Sequence, residues 1–148
     1  MTTCTDLAVA RFRDGYACSQ AVFSAYAPLF DLAPELALRI ATPFGAGMGR
    51  MGEVCGAVTG AFMVFGLKAG SSLAQDHASR DETYGLVMEF VERFRARRGS
   101  IKCRELLGCA IDTPDGLQAA RERGLFDELC PELVRDSAEI VAELLERG

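Results

Sequence analysis

Apolar residues recur at helical spacing along almost the whole chain and period-two alternation is nearly absent, so the pattern predicts an all-α protein. The first predicted helix covers residues 3–13 with Leu7, Ala8, Val9 and Phe12, and Gly15 ends it. A second begins near Ala17 and places Cys18, Ala21, Val22, Ala25 and Leu29 on one face, with Pro28 weakening its last turn. The segment from Asp31 to Pro34 is a start signal for a short third helix carrying Leu36, Leu38 and Ile40, which Pro43 terminates.

A glycine-dense loop follows over residues 44–52, and then an apolar stretch over 54–67. That stretch is apolar all round, which predicts a buried central helix, and it is too short and too rich in glycine for a membrane span. Gly52, Gly56 and Gly60 recur every four residues as a flat stripe for close helix approach, which offsets a propensity cost of about 1 kcal/mol per glycine. Residues 75–98 form the longest predicted amphipathic helix, with Val87, Phe90, Val91 and Phe94 inward and Gly99 as its stop. Ser100 then caps a short helix that runs to Leu107, with Cys103 at its third position and Gly108 as its end. Thr113 and Pro114 start another helix that ends around Gly124, and Cys130-Pro131-Glu132 opens the last, with Val134, Ala138, Val141 and Leu145 inward. No linker, low-complexity stretch or internal repeat divides the chain, so residues 1–148 read as one compact bundle of about six to eight helices.

At 148 residues and 49% apolar the chain is long enough to bury a core without disulfides. No charged leader with an apolar core opens it, since Asp6 and Arg11 flank the only weakly apolar early stretch, and the expected compartment is the cytoplasm. A net charge of -5 argues against a nucleic-acid partner, which needs a basic face. Arg93, Arg95, Arg97 and Arg98 fall where they complement the C-terminal end of a helix dipole.

Six cysteines change the picture, because in a reducing compartment cysteines in number serve catalysis, redox sensing or metal binding more often than structural disulfides. Four of them, Cys18, Cys55, Cys103 and Cys130, fall near predicted helix starts, where free N–H groups and the positive dipole end favour a thiolate. The competing account is that each is a small core hydrophobe. Cys18 lies on an apolar stripe and Cys130 beneath Leu129 and Leu133, whereas Cys55 is followed by Gly56, whose missing side chain would let a sulfur or a metal approach. Cys103 and Cys109 are spaced C-x5-C, unlike the C-x2-C of thioredoxin-like sites or zinc knuckles, and Gly108 would let Cys109 turn back. Cys4, near the terminus, is expected to be incidental.

Four stretches carry a resemblance: Gly15-Tyr16-Ala17-Cys18-Ser19-Gln20-Ala21-Val22, the glycine-rich run ending in Cys55-Gly56-Ala57-Val58-Thr59-Gly60, the segment from Cys103 to Cys109, and Cys130-Pro131. Together they resemble the C_GCAxxG_C_C family of redox-active proteins over about residues 15–141. The resemblance implies a redox role and a characteristic set of four cysteines, which by position are Cys18, Cys55, Cys103 and Cys130, with Cys109 replacing or joining Cys103. A similar cysteine-bearing domain binds iron-sulfur in split-Soret cytochromes, but this chain lacks the C-x-x-C-H needed for covalent haem.

Other signals are weaker. Gly45, Gly47 and Gly49 lack the preceding strand of a phosphate loop and suit packing or close approach to a cofactor, for which Gly56 and Arg50 are further candidates. Arg50 would pair with a thiolate or an anionic substrate. His77 is the only histidine, which excludes zinc sites of the two- and three-histidine types, and no nucleophile elbow supports a Ser-His-Asp hydrolase. The leading expectation is a thiol redox protein in which Cys130 or Cys55 attacks an oxidised small molecule or partner and a second cysteine resolves the mixed disulfide. The alternatives are an electron carrier whose Cys18, Cys55, Cys103 and Cys130 hold an iron-sulfur cluster or another thiophilic metal, and a helical interaction subunit whose cysteines serve only as core and which pairs as a homodimer through the glycine-striped helix.

Overall fold

The computed structural model describes residues 3–146, and these form eight α-helices: α1 (Cys4–Arg13), α2 (Cys18–Tyr26), α3 (Pro34–Ala41), α4 (Gly56–Ala69), α5 (His77–Arg98), α6 (Cys103–Leu107), α7 (Pro114–Glu122) and α8 (Cys130–Leu145). Short turns over Ala27–Phe30, Thr42–Phe44, Gly45–Met48 and Leu125–Glu128 complete the helical segments. The all-α expectation holds. Among the described residues no helix is long and apolar enough to cross a membrane.

Local signals set most boundaries. The Thr3 hydroxyl accepts the Asp6 N–H, Asp76 accepts that of Ser79 and Thr113 that of Gly116, each satisfying a donor left free in a first turn. Gly99 and Gly108 close α5 and α6 in the left-handed conformation. Pro28 diverts the end of α2 into a 3-10 turn, so Leu29 is 64% exposed instead of extending the helix's inner face. In α3 the buried residues are Ala37 and Ala41, while Leu36 and Ile40 are each 45% exposed, because the helix turns its small side chains toward α2.

The main core lies between α2, α4, α5 and α8, where Val22, Val58, Phe65, Phe90, Phe94, Val134 and Val141 are fully buried. Phe62 and Phe65 meet Phe90 edge-on at 5.9 and 5.8 Å. Along the outside, the arginines of α5 do more than cap a dipole. Arg93 pairs with Glu89 and Glu143, Arg97 with Asp136, Glu139 and Glu143, and Arg98 with Glu132 and Asp136, which ties α5 to α8.

The largest contact in the fold is between α2 and α4, and glycine makes it. A Cβ on Gly60 would stand 2.8 Å from the Ser19 carbonyl oxygen, and one on Gly56 3.0 Å from the Ser19 nitrogen and 3.3 Å from the Cys18 Cβ. The stripe serves close approach as expected, but only through these two; Gly52 precedes the helix in a loop, at φ +73°.

Candidate functional site

Each of the four singled-out cysteines stands where a helix begins. Cys18, Cys103 and Cys130 are the first residues of α2, α6 and α8, and Cys55 is the N-cap of α4. Cys103 opens its helix instead of sitting at a third position, because the residues before it are held extended: Val54 and Lys102 form an antiparallel bridge. Its flanking bonds run from the Cys55 N–H to the Ile101 carbonyl at 2.7 Å and from the Cys103 N–H to the Glu53 carbonyl at 2.6 Å. This single rung, invisible to periodicity, fixes the backbones of Cys55 and Cys103 side by side.

Cys18, Cys55, Cys103 and Cys130 line one cavity of about 150 Å³. The rest of its wall is apolar, chiefly Phe12, Ala46, Leu106, Leu107, Phe126 and Leu133, with Ala17 and Gly56 at the α2 and α4 starts. Cys55 packs in the main core, Cys103 and Cys130 in a smaller one with Leu107, Ile111 and Ala120, and Cys18 against both, so the cavity lies at the junction of two cores. Cys55, Cys103 and Cys130 are buried and Cys18 partly so, and all six cysteines are free thiols.

The neighbours of Cys18 are placed by polar bonds that the hydrophobic pattern did not reveal. The Ser19 hydroxyl, fully buried, donates to the Ala41 carbonyl at 2.7 Å. The Gln20 side chain accepts the Ala17 N–H and donates to the Leu38 carbonyl, which pins the first turn of α2 to α3. Likewise the Ser137 hydroxyl donates to the Ala57 carbonyl at 2.7 Å and ties α8 to the first turn of α4.

On the other side of Cys103 the glycine-rich segment folds as a left-handed turn. Ala46, Gly47, Met48, Gly49 and Arg50 all have φ between 56° and 72°, closed by a bond from the Gly49 N–H to the Gly45 carbonyl at 2.8 Å. Left-handed backbone costs about 1–2 kcal/mol at each non-glycine residue. The Arg104 guanidinium offsets part of that by donating to the Met51 and Gly52 carbonyls and pairing with Glu53, which stitches the loop to α6. Arg50 itself is exposed and does not line the cavity. Cys109 is buried but turned from the cavity, and its sulfur accepts a bond from Arg123 at 3.4 Å. Cys4 opens α1, also outside the cavity wall, and His77 is exposed at the start of α5.

The four sulfurs are electrostatically unequal. The Cys18 thiol hydrogen-bonds to Cys55, which holds Cys55 below the ordinary thiol value, aided by the Ala57 and Val58 N–H groups of α4's first turn and opposed by burial. Cys18 is held well above that value by its hydrogen bonds with Cys130 and Cys55, and by burial. Burial pushes Cys103 up from 9.0 to about 12, against the opposing charge of Arg104. Among the described residues no three His, Cys, Asp or Glu side chains are grouped as ligands of one metal ion.

Outside the cavity, burial also raises Tyr26 from 10.0 to about 12, and its hydroxyl donates to the Ala138 carbonyl at 2.6 Å. For both Cys103 and Tyr26 the unfolded chain loses its proton first, so the folded state binds more protons and stability falls as pH rises from about 9 to about 12. Thermal melting followed by circular dichroism should show a midpoint that declines across this window, and Tyr26→Phe should flatten the part above pH 10.

The sequence model of a family described as "Putative redox-active protein (C_GCAxxG_C_C)" matches residues 16–144. No curated protein and no solved structure matches the chain.

Proposed function

The chain belongs to the C_GCAxxG_C_C family of redox-active proteins, and on that premise we propose that it works by dithiol/disulfide exchange, with Cys55 as the attacking thiolate and Cys18 as the resolving thiol. The observation that carries this reading is the placement of Cys18 and Cys55 in one apolar cavity, with Cys55 capping α4 and Cys18 packed against the first turn of that helix, where a Gly56 Cβ would lie 3.3 Å from the Cys18 Cβ. Of the two, Cys55 is the thiol held below the ordinary value and Cys18 the one held above it, so Cys55 loses its proton first.

The steps follow from that asymmetry. The Cys55 thiolate attacks one sulfur of a substrate disulfide, forming a mixed disulfide and expelling the other half as a thiolate. Cys55 is then neutral, which removes the like charge that helps hold the Cys18 proton in place. Cys18 gives that proton to the departing thiolate and attacks the Cys55 sulfur. The products are a Cys18–Cys55 disulfide, one substrate thiol and one substrate thiolate that takes its proton from water, so the two protein sulfurs are oxidised and one substrate disulfide is reduced. Apolar walls favour a small or extended disulfide without charge beside the reacting sulfur.

A second reading rests on Cys103 and Cys130, which the exchange does not use although they line the same cavity. Four thiolates are the complement of a [2Fe-2S] or [4Fe-4S] centre, and four helix starts would offset their charge. When bound, such a cluster would supply one-electron transfer.

One preparation separates the two. After anaerobic purification, exposure to a model disulfide and rapid alkylation, peptide mapping should recover a Cys18–Cys55 link from colourless protein. A coloured protein containing iron and sulfide, bleached by serine at any of the four positions, would replace exchange with the cluster reading.

A further inference from the structure

Helix α5 buries one face and leaves the other without a partner among the described residues. Asp81, Gly85, Met88, Glu92 and Arg95, spaced alternately four and three residues apart, are all exposed and form one straight seam. Met88 at its centre is 72% exposed and the flanking Tyr84 60%, both large apolar groups on the outside of a helix. Gly85 sits inside that helix, where a Cβ would meet nothing among the described residues, so no packing among them accounts for a glycine that costs about 1 kcal/mol relative to alanine.

We propose that this face of α5 is the contact between two copies of the chain, packed antiparallel about a twofold axis at Met88. The charges single out both the partner and the direction. Asp81 and Arg95 lie seven residues on either side of Met88, and among the described residues neither makes an ion pair within the chain. In an antiparallel pair each Asp81 meets the other copy's Arg95 at both ends, whereas a parallel pair would set Asp81 against Asp81 and Arg95 against Arg95. A twofold contact is self-complementary in this sense. At its centre Met88 meets Met88, and Gly85 stands opposite Val91, which is half-buried instead of fully inward and lines the same shallow groove as Gly85 and Met88, so the two helices can approach closely. The expected dimer therefore runs through α5, not through the glycine stripe of α4, which α2 already covers.

The experiment is the mass in solution, by light scattering or sedimentation, of the full chain under reducing conditions so that no intermolecular disulfide contributes. The wild type is expected at twice the chain mass of 16.0 kDa, and Met88→Lys at the chain mass. Asp81→Arg and Arg95→Asp, each alone, place like charges at both ends and should be monomeric. Mixed in equal amounts they restore opposite charges at both ends and should form a dimer of one copy of each. Circular dichroism of each variant should match the wild type, because all three side chains are exposed. A monomeric wild type, a dimer that survives Met88→Lys, or single charge variants that do not recover on mixing would each overturn the proposal.

Discussion

Cys18→Ala is expected to slow alkylation of Cys55 at neutral pH by about tenfold, because it removes a hydrogen bond to a charged acceptor. That bond is the largest of the influences lowering Cys55, ahead of the two backbone N–H groups that remain in the variant. In the wild type the fast-reacting thiol should map to Cys55, with a rate that levels off below the pH of an ordinary thiol. In Cys18→Ala the same profile should move to higher pH and keep its plateau. Cys55→Ala should abolish the fast phase altogether. Conversely it should make Cys18 easier to ionise, since one of the two hydrogen-bonded sulfurs that hold its proton is gone. Peptide-resolved alkylation over a pH series reads all of these. An unchanged Cys55 profile in Cys18→Ala would break the link between the hydrogen bond and the reactivity.

The second large effect is on stability. Gly47→Ala is expected to cost about 2–5 kcal/mol, combining about 1–2 for a left-handed non-glycine residue with about 1–3 for overpacking. Gly47 has φ +65°, and its Cβ would lie 2.7 Å from the Cys103 Cβ, 2.8 Å from the Glu53 nitrogen and 2.9 Å from the Gly52 carbonyl carbon. The last two are backbone and cannot swing aside. Gly49→Ala is the control, with a similar φ of +64° but only the Pro43 oxygen nearby, at 3.7 Å. It should lose only the conformational part. Thermal melting should place Gly47→Ala about 10 °C below the wild type and clearly below Gly49→Ala. Equal losses for the two would show that contact with Cys103 contributes nothing.

These two cases mark where the sequence was readable. Helix existence, the caps at Thr113 and Gly99, and the four cysteines at helix starts follow from local chemistry, because a cap or a dipole acts within one turn. The glycine stripe announced a close approach without naming α2 as the neighbour. The bridge between Val54 and Lys102 had no local signature, since one rung needs no alternation and joins segments far apart in the chain. Neither did the division of labour among the thiols, which depends on which sulfur neighbours which. Arg50 and Cys109 were reasonable candidates by residue type, and the loop's handedness and the Arg123 contact place them away from the cavity. Leu36 and Ile40 show the opposite failure, in which apolar spacing marked a face that the shorter side chains of Ala37 and Ala41 took over.

The left-handed turn beside Cys103 has a stereochemical consequence. Over Ala46, Met48 and Arg50 the backbone follows the path that mirror-image amino acids prefer, so inverting the α-carbon there should relieve the chain instead of distorting it. A chemically synthesised chain carrying D-alanine at position 46 would favour the native turn while moving the methyl group to the other side of the α-carbon, in a wall of the thiol cavity.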